Sequence, residues 1–223
     1  MVDWKSVNTI LLDLDGVLLD LRFDNWFWRE HVPAAYAGKS GLDLDQAKAV
    51  LYPKMRAVQG TLSWYSVDYW SETLGLDVVQ LKADCAHRVA LRPHAVEFLT
   101  AARATKADVH LTTNAHQKTV EIKFQQTGLS GFFDSVICSH HHGAPKEDQQ
   151  FWCNVFQRHG FEPTSTLFID DNLDVLRAAR RFGIVQLFTI HQPDSGEPGR
   201  DNSDFVGIKT FEEIMPVPCD RVT

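Results

Sequence analysis

The chain has 223 residues, enough for one large domain or for a core carrying a smaller insert. Its 22 Lys and Arg against 29 Asp and Glu leave a net charge of −7, which argues against nucleic acid as a partner, since that needs a basic face. No apolar run is long enough to span a bilayer, and Met1-Val2-Asp3-Trp4-Lys5 has no basic stretch leading into a signal core, so a cytoplasmic protein without a membrane partner is expected.

The first element is the apolar run Thr9 to Asp13, read as a buried strand that stops in Asp13-Leu14-Asp15-Gly16. Buried strands do not normally carry unpaired acids. The two acids are therefore expected at the carboxyl edge of an open α/β sheet, where ligands bind. From Asp20 to Leu91 the pattern is helical, with aromatics at Trp26, Phe27, Trp28, Tyr36, Tyr52, Trp64, Tyr65, Tyr69 and Trp70. A helical insert directly after the first strand would lie over that edge as a lid able to exclude water. Tyr65 and Tyr69 are four apart, which predicts one helical face and core packing.

Helices and strands then alternate. Helix is expected at Pro93 to Ala104, strand at Val109 to Thr113, helix from Gln117 to Thr127 stopping at Gly128, and strand at Ser135 to Cys138. Helix follows at Glu147 to His159, strand at Leu167 to Asp170, helix at Asn172 to Phe182, strand at Ile184 to Ile190 and a weaker strand at Asp204 to Ile208. Residues 192–200 form a turn-rich loop, and a loose tail is expected after Pro216. The alternation predicts an α/β fold: a three-layer, doubly wound, Rossmann-like parallel sheet core with a small helical cap inserted after the first strand. The expected division is a catalytic core of residues 1–19 and 92–223 and a helical cap of residues 20–91.

Further polar residues fall at or just beyond strand ends: Thr112-Thr113-Asn114, Lys146 and Asp170-Asp171. If they converge with Asp13 and Asp15, four carboxylates, a hydroxyl and an ammonium share one pocket. Like charges a few ångströms apart cannot all stay ionised in a dry site. Lys146 offsets one charge, and a hard divalent cation held by oxygens, best Mg²⁺, would offset two more. A carboxylate left protonated is a general acid. Thr113, with the backbone N–H groups of its turn, suits phosphate oxygens. Taken singly, each residue also has a plain structural reading: Asp13 and Asp15 as caps of nearby N–H groups, Thr113 as a backbone-satisfied hydroxyl, Lys146 as a solvated charge, and Asp170-Asp171 as a helix N-cap.

His140-His141-His142 reads as a polar loop near the pocket, because adjacent residues rarely converge on one ion. Cys85, Cys138, Cys153 and Cys219 lack paired metal-ligand spacing and are expected as reduced thiols, the first three as small core residues.

Asp13-Leu14-Asp15-Gly16-Val17, Thr113-Asn114, Lys146 and Asp170-Asp171 resemble, in order, the four motifs of the haloacid dehalogenase-like hydrolases. Val17 stands where many phosphatases of the superfamily have Thr. Phe23 to Trp28, Leu62 to Tyr65, Asp68 to Glu72, Pro145 to Gln149 and Pro193 to Gly196 resemble the bacterial GMP/IMP nucleotidase branch, so the similarity runs through the cap as well as the core. The resemblance implies a Mg²⁺-dependent phosphomonoesterase acting on a small phosphate ester, a purine mononucleotide first among them. Asp13 would be the nucleophile and Asp15 the general acid and base. Thr113, Asn114 and Lys146 would hold the phosphoryl group. The metal would be held by Asp13, the Asp15 carbonyl and Asp171, with Asp170 direct or through water. A phosphatase of a sugar phosphate or phosphoglycolate, a phosphomutase and a non-catalytic phosphate-binding member of the fold remain as alternatives. A dehalogenase is disfavoured by Asp15, the acid that phosphoryl transfer needs.

Overall fold

A computed structural model describes residues 1–200 and 204–216. Cys219 and the tail expected after Pro216 lie outside the described residues from position 217 onward. Among the described residues six strands form one sheet: β1 (Thr9–Leu12), β2 (Asp108–Thr113), β3 (Ser135–Cys138), β4 (Thr166–Ile169), β5 (Gln186–Ile190) and β6 (Val206–Ile208). Every pairing is parallel and the order is β3-β2-β1-β4-β5-β6. β1 and β4, side by side in the middle, are buried along their whole length, which explains why both read as continuous apolar runs.

Strand alternation sorts the core into two faces. Ile10, Leu12, Val109, Leu111, Leu167 and Ile169 pack with Phe98, Leu99 and Ala102 of helix Ala95–Arg103 and with Val120 of helix Gln117–Thr127. Leu11, Ile137 and Phe168 point the other way, onto Phe151, Trp152 and Val155 of helix Gln149–His159 and onto Val175, Leu176 and Ala179 of helix Leu173–Phe182. The result is three layers, helices on both sides of a parallel sheet, as the alternation predicts.

Between β1 and β2 the chain runs through helices Arg22–Trp26, Val32–Ser40, Leu44–Ala57, Leu62–Tyr65, Val67–Leu74 and Val78–Asp84. The first two are joined by a π-helical turn, Phe27–His31. Helix Leu44–Ala57 opens with a capping box in which Asp43 accepts from the Gln46 N–H and the Gln46 side chain accepts from the Asp43 N–H. Apolar residues of this segment (Phe27, Val32, Leu51, Val67, Trp70, Leu74) are continuous with the first sheet-face core. The segment enters and leaves through paired backbone: the Asp20 N–H donates to Ala90 O and the Arg92 N–H to Leu18 O, each at 2.9 Å. The turn-rich loop braces this crossing, since Arg92 donates to Gln192 O and Asn25 donates to the Asp194 carboxylate at 2.6 Å. Among the described residues no helix is long and apolar enough to cross a membrane.

Three local expectations are corrected. Tyr65 and Tyr69 do not share a helical face, because Ser66 is extended (φ −87°, ψ 112°), ends one helix and caps the next by accepting from the Tyr69 N–H. Cys85 and Cys138 are buried, but Cys153 is exposed on the outer side of helix Gln149–His159. The triple histidine, expected as a polar loop near the pocket, is a 3₁₀ turn that does not line the cavity, with His142 buried edge-on against Phe151.

Candidate active site

β1 and β4 each stop one residue short of an acid. The Asp13 N–H still donates to Ile169 O, so Asp13 sits beside the end of β4, and Asp170 follows Ile169 directly. This is the crevice at the carboxyl edge next to β1, where open α/β sheets bind ligands. One oxygen each from Asp13, Asp170 and Asp171 lie within 4.8 Å of one another. The Lys146 ammonium enters between the first two, donating to Asp13 Oδ1 at 2.5 Å, Asp170 Oδ2 at 2.7 Å and the Thr112 carbonyl at 2.9 Å.

Lys146 is fixed from both sides of its own backbone: its N–H donates to Asn114 Oδ1 and its carbonyl accepts from the Trp152 indole. Burial works to discharge the ammonium, but Asp13 and Asp170 overcome it and raise its pKa. One ammonium cannot neutralise three carboxylates. Burial pushes the Asp13 carboxyl up to about 6 against the pull of Lys146. Burial raises Asp170, and burial with the charges of Asp170 and Asp13 drives Asp171 far above the ordinary carboxylate range. A cluster of hard oxygens with surplus negative charge fits a divalent cation such as Mg²⁺. Gly16 makes room for it. Its φ of +83° favours glycine, and a Cβ there would meet Asp171 Cγ at 2.7 Å.

The Asp15 side chain does not join this cluster. Its Oδ1 accepts from Lys123 Nζ at 2.6 Å, and Lys123 also donates to Asp24 Oδ2 at 2.7 Å. Burial and the Asp24 charge push the Asp15 carboxyl up to about 6, against Lys123. Thr113 ends β2 with its Oγ1 accepting from the Ala115 N–H at 3.0 Å, which leaves the hydroxyl proton free to donate. The Asn114 carboxamide is engaged at both ends, accepting from Lys146 and donating to Glu147 Oε2 at 2.9 Å. All seven residues singled out in the sequence thus border one cavity of about 600 Å³. The helical segment supplies its other wall through Trp28, Tyr52, Trp64, Tyr65 and Trp70, with Arg29 and Arg56.

Sequence reasoning missed Lys123, Asp24, Lys82, Glu147 and Asn172. Glu147 gathers three donors, from Tyr65 (2.6 Å), Asn114 (2.9 Å) and Asn172 (3.3 Å). Lys123 carried a usable signal: it lies three and four residues after Val120 and Thr119, on the inward stripe of its helix, and is fully buried with them.

A parallel sheet presenting three acids and a buried ammonium at its carboxyl edge is a ligand site of the α/β class, with the charge to hold a cation. The model of the haloacid dehalogenase-like hydrolases matches residues 7–183. The GMP/IMP nucleotidase YrfG of Escherichia coli (strain K12) is 38% identical over 215 residues, covering 96% of this chain and 97% of that protein, and the enzyme of the same name from Shigella flexneri matches equally. A phosphatase structure from Thermococcus onnurineus superimposes with a TM-score of 0.77 at 22% identity, covering 93% of this chain and 96% of that one. L-2-haloacid dehalogenase from Xanthobacter autotrophicus gives 0.56 at 20% identity, over 83% and 78%. The last two establish the fold. The chain belongs to the haloacid dehalogenase-like hydrolases. Within that family it is a phosphatase.

Proposed function

We propose that the protein is a Mg²⁺-dependent purine 5′-nucleotidase, with GMP and IMP as substrates, working through an aspartyl-phosphate. The observation that carries the substrate is the 38% identity to a GMP/IMP nucleotidase over 96% of the chain, which includes the helical segment walling the cavity. In this reading residues 20–91 are a cap over a core of residues 1–19 and 92–223, and its aromatic rings meet the base and ribose.

The chemistry follows from the residues. A carboxylate oxygen of Asp13 attacks phosphorus in line, and the P–O bond to the nucleoside breaks. Asp15, whose pKa burial raises to about 6, delivers a proton to the departing 5′-oxygen. Asp15 then takes a proton from the water that cleaves the aspartyl-phosphate, releasing phosphate and restoring Asp13. Lys146 holds Asp13 in place and offsets charge on the transferring group, while the Thr113 hydroxyl and the N–H groups of its turn grip the phosphoryl oxygens. Mg²⁺ would be held by Asp13, Asp171 and the Asp15 carbonyl, with Asp170 direct or through water, and supplies charge neutralisation at the phosphoryl group.

The test is phosphate release from purine and pyrimidine 5′-nucleotides, sugar phosphates and phosphoglycolate, with Mg²⁺ and with EDTA. Mg²⁺-dependent release, fastest from GMP and IMP, is the expected result. Preference for a sugar phosphate or phosphoglycolate would overturn the nucleotidase reading while leaving the phosphatase chemistry standing.

A further inference from the structure

Four charged side chains, the two lysines buried and the two aspartates partly so, form a chain from the active site into the helical segment. Asp15 accepts from Lys123 at 2.6 Å, Lys123 donates to Asp24 at 2.7 Å, and Asp24 accepts from Lys82 at 2.6 Å. The two ammonium-bearing side chains are 0% and 3% exposed. Lys123 stands on a helix that packs on the sheet, while Asp24 and Lys82 stand on two helices of the 20–91 segment.

A pair of buried charges is a poor stabiliser against an apolar alternative, so the arrangement calls for another reason. The geometry of Asp15 supplies one. Its side chain lines the cavity, and one carboxylate oxygen is taken up by an ammonium donor that has no acceptor capacity. The other oxygen, Oδ2, is therefore the one free to present a proton to the substrate. Lys123 in turn cannot swing away, because Asp24 holds a second of its three hydrogens and the Phe23 ring lies 5.9 Å from its nitrogen.

We infer that Lys123, anchored by Asp24, is a positioning residue that fixes the Asp15 carboxyl so that its Oδ2 faces the leaving oxygen of the substrate. The inference rests on the reading of Asp15 as the general acid. In the step concerned, Asp13 bonds to phosphorus, the P–O bond to the leaving group breaks, and the proton on Asp15 Oδ2 passes to the departing alkoxide.

A group that only aligns the acid matters when the leaving group needs a proton. The experiment compares kcat/KM for the best alkyl phosphate found in the release panel with kcat/KM for p-nitrophenyl phosphate, whose phenolate departs without one. Lys123→Met is expected to lower the alkyl value by about 100-fold, the low end of general acid–base catalysis, and the aryl value by less than about 10-fold. Lys123→Gln, which keeps a donor, is expected to recover part of the difference. The ratio of the two values does not depend on how much of a variant is folded. Equal losses on both substrates in Lys123→Met would overturn the inference. Asp15→Asn serves as the reference: it should show the same selectivity. If Asp15→Asn loses both substrates alike, the acid role of Asp15 fails and the inference fails with it; if Asp15→Asn is selective and Lys123→Met is not, the inference alone fails.

Discussion

The Tyr65 hydroxyl donates to Glu147 Oε1 at 2.6 Å, joining a helix of the 20–91 segment to the residue that follows Lys146. Burial and the Glu147 charge hold the phenol well above its ordinary pKa, so it stays a donor throughout the working range. Glu147 in turn receives Asn114, whose own oxygen supports the Lys146 N–H. Tyr65→Phe removes one charge-assisted hydrogen bond and is expected to cost ~1.5–3 kcal/mol, read from urea unfolding, with a fall in kcat/KM. Unchanged values of both would separate Tyr65 from the site.

Asp13→Asn is expected to abolish turnover, by at least about 10⁴-fold, as removal of a nucleophile does. Asp170 still pairs with Lys146 in this variant, so circular dichroism and the unfolding midpoint should stay close to those of the parent protein. Retained activity would displace Asp13 from the nucleophile's role.

Gly16 has a backbone conformation that side chains rarely adopt, and its α-carbon faces Asp171. Gly16→Ala should cost ~1–3 kcal/mol through left-handed strain. The new methyl also pushes on the Asp171 carboxylate, so the Mg²⁺ concentration for half-maximal activity should rise. A variant with parental Mg²⁺ dependence would show that Asp171 is free to move.

The sign of the pH effect at Asp171 is definite. Its folded pKa is raised, so below the ordinary carboxylate range the group is protonated in both states and contributes nothing. As pH rises past about 4 the unfolded chain ionises while the folded one does not, and stability is lost up to the folded pKa. Asp171→Asn removes that loss. In EDTA its Tm should equal the parent's near pH 4 and exceed it at pH 7. In Mg²⁺ the order should reverse if Asp171 is the ligand proposed, because the variant loses the anionic charge that would hold the ion. A Tm difference that is flat with pH would contradict the raised pKa.

Much of this is readable in the sequence because β1 and β4 are apolar runs cut off by acids, and the helix stop at Gly128 falls where expected. Strand ends came out within two residues of the reading, which is why Asp13, Thr113 and Asp170 landed together. The losses have distinct causes. A spacing of four puts Tyr65 and Tyr69 on one face only if the helix runs through Ser66, and a serine there is an N-cap signal. Lys123 was passed over because lysine in a helix reads as solvated, and its partners Asp15 and Asp24 are 108 and 99 residues away. Such pairs are set by tertiary packing, which local pattern does not encode. Cys153 shows the converse error, an apolar type taken as core at a helix position that faces water.

The crossing at Leu18–Asp20 and Ala90–Arg92 is a pair of antiparallel backbone contacts, so the segment hangs from two adjacent points. An insertion borne that way can change length or content without altering the register of the sheet that bears the acids. Variation among descendants of such a gene is therefore unequal in its consequences: changes at Tyr52 reshape the chamber wall, while changes at Asp24 or Lys82 propagate through Lys123 to a carboxylate of the edge. The segment's sequence is thus constrained most where a side chain reaches the sheet edge, at Asp24 and Lys82 through Lys123 and at Tyr65 through Glu147.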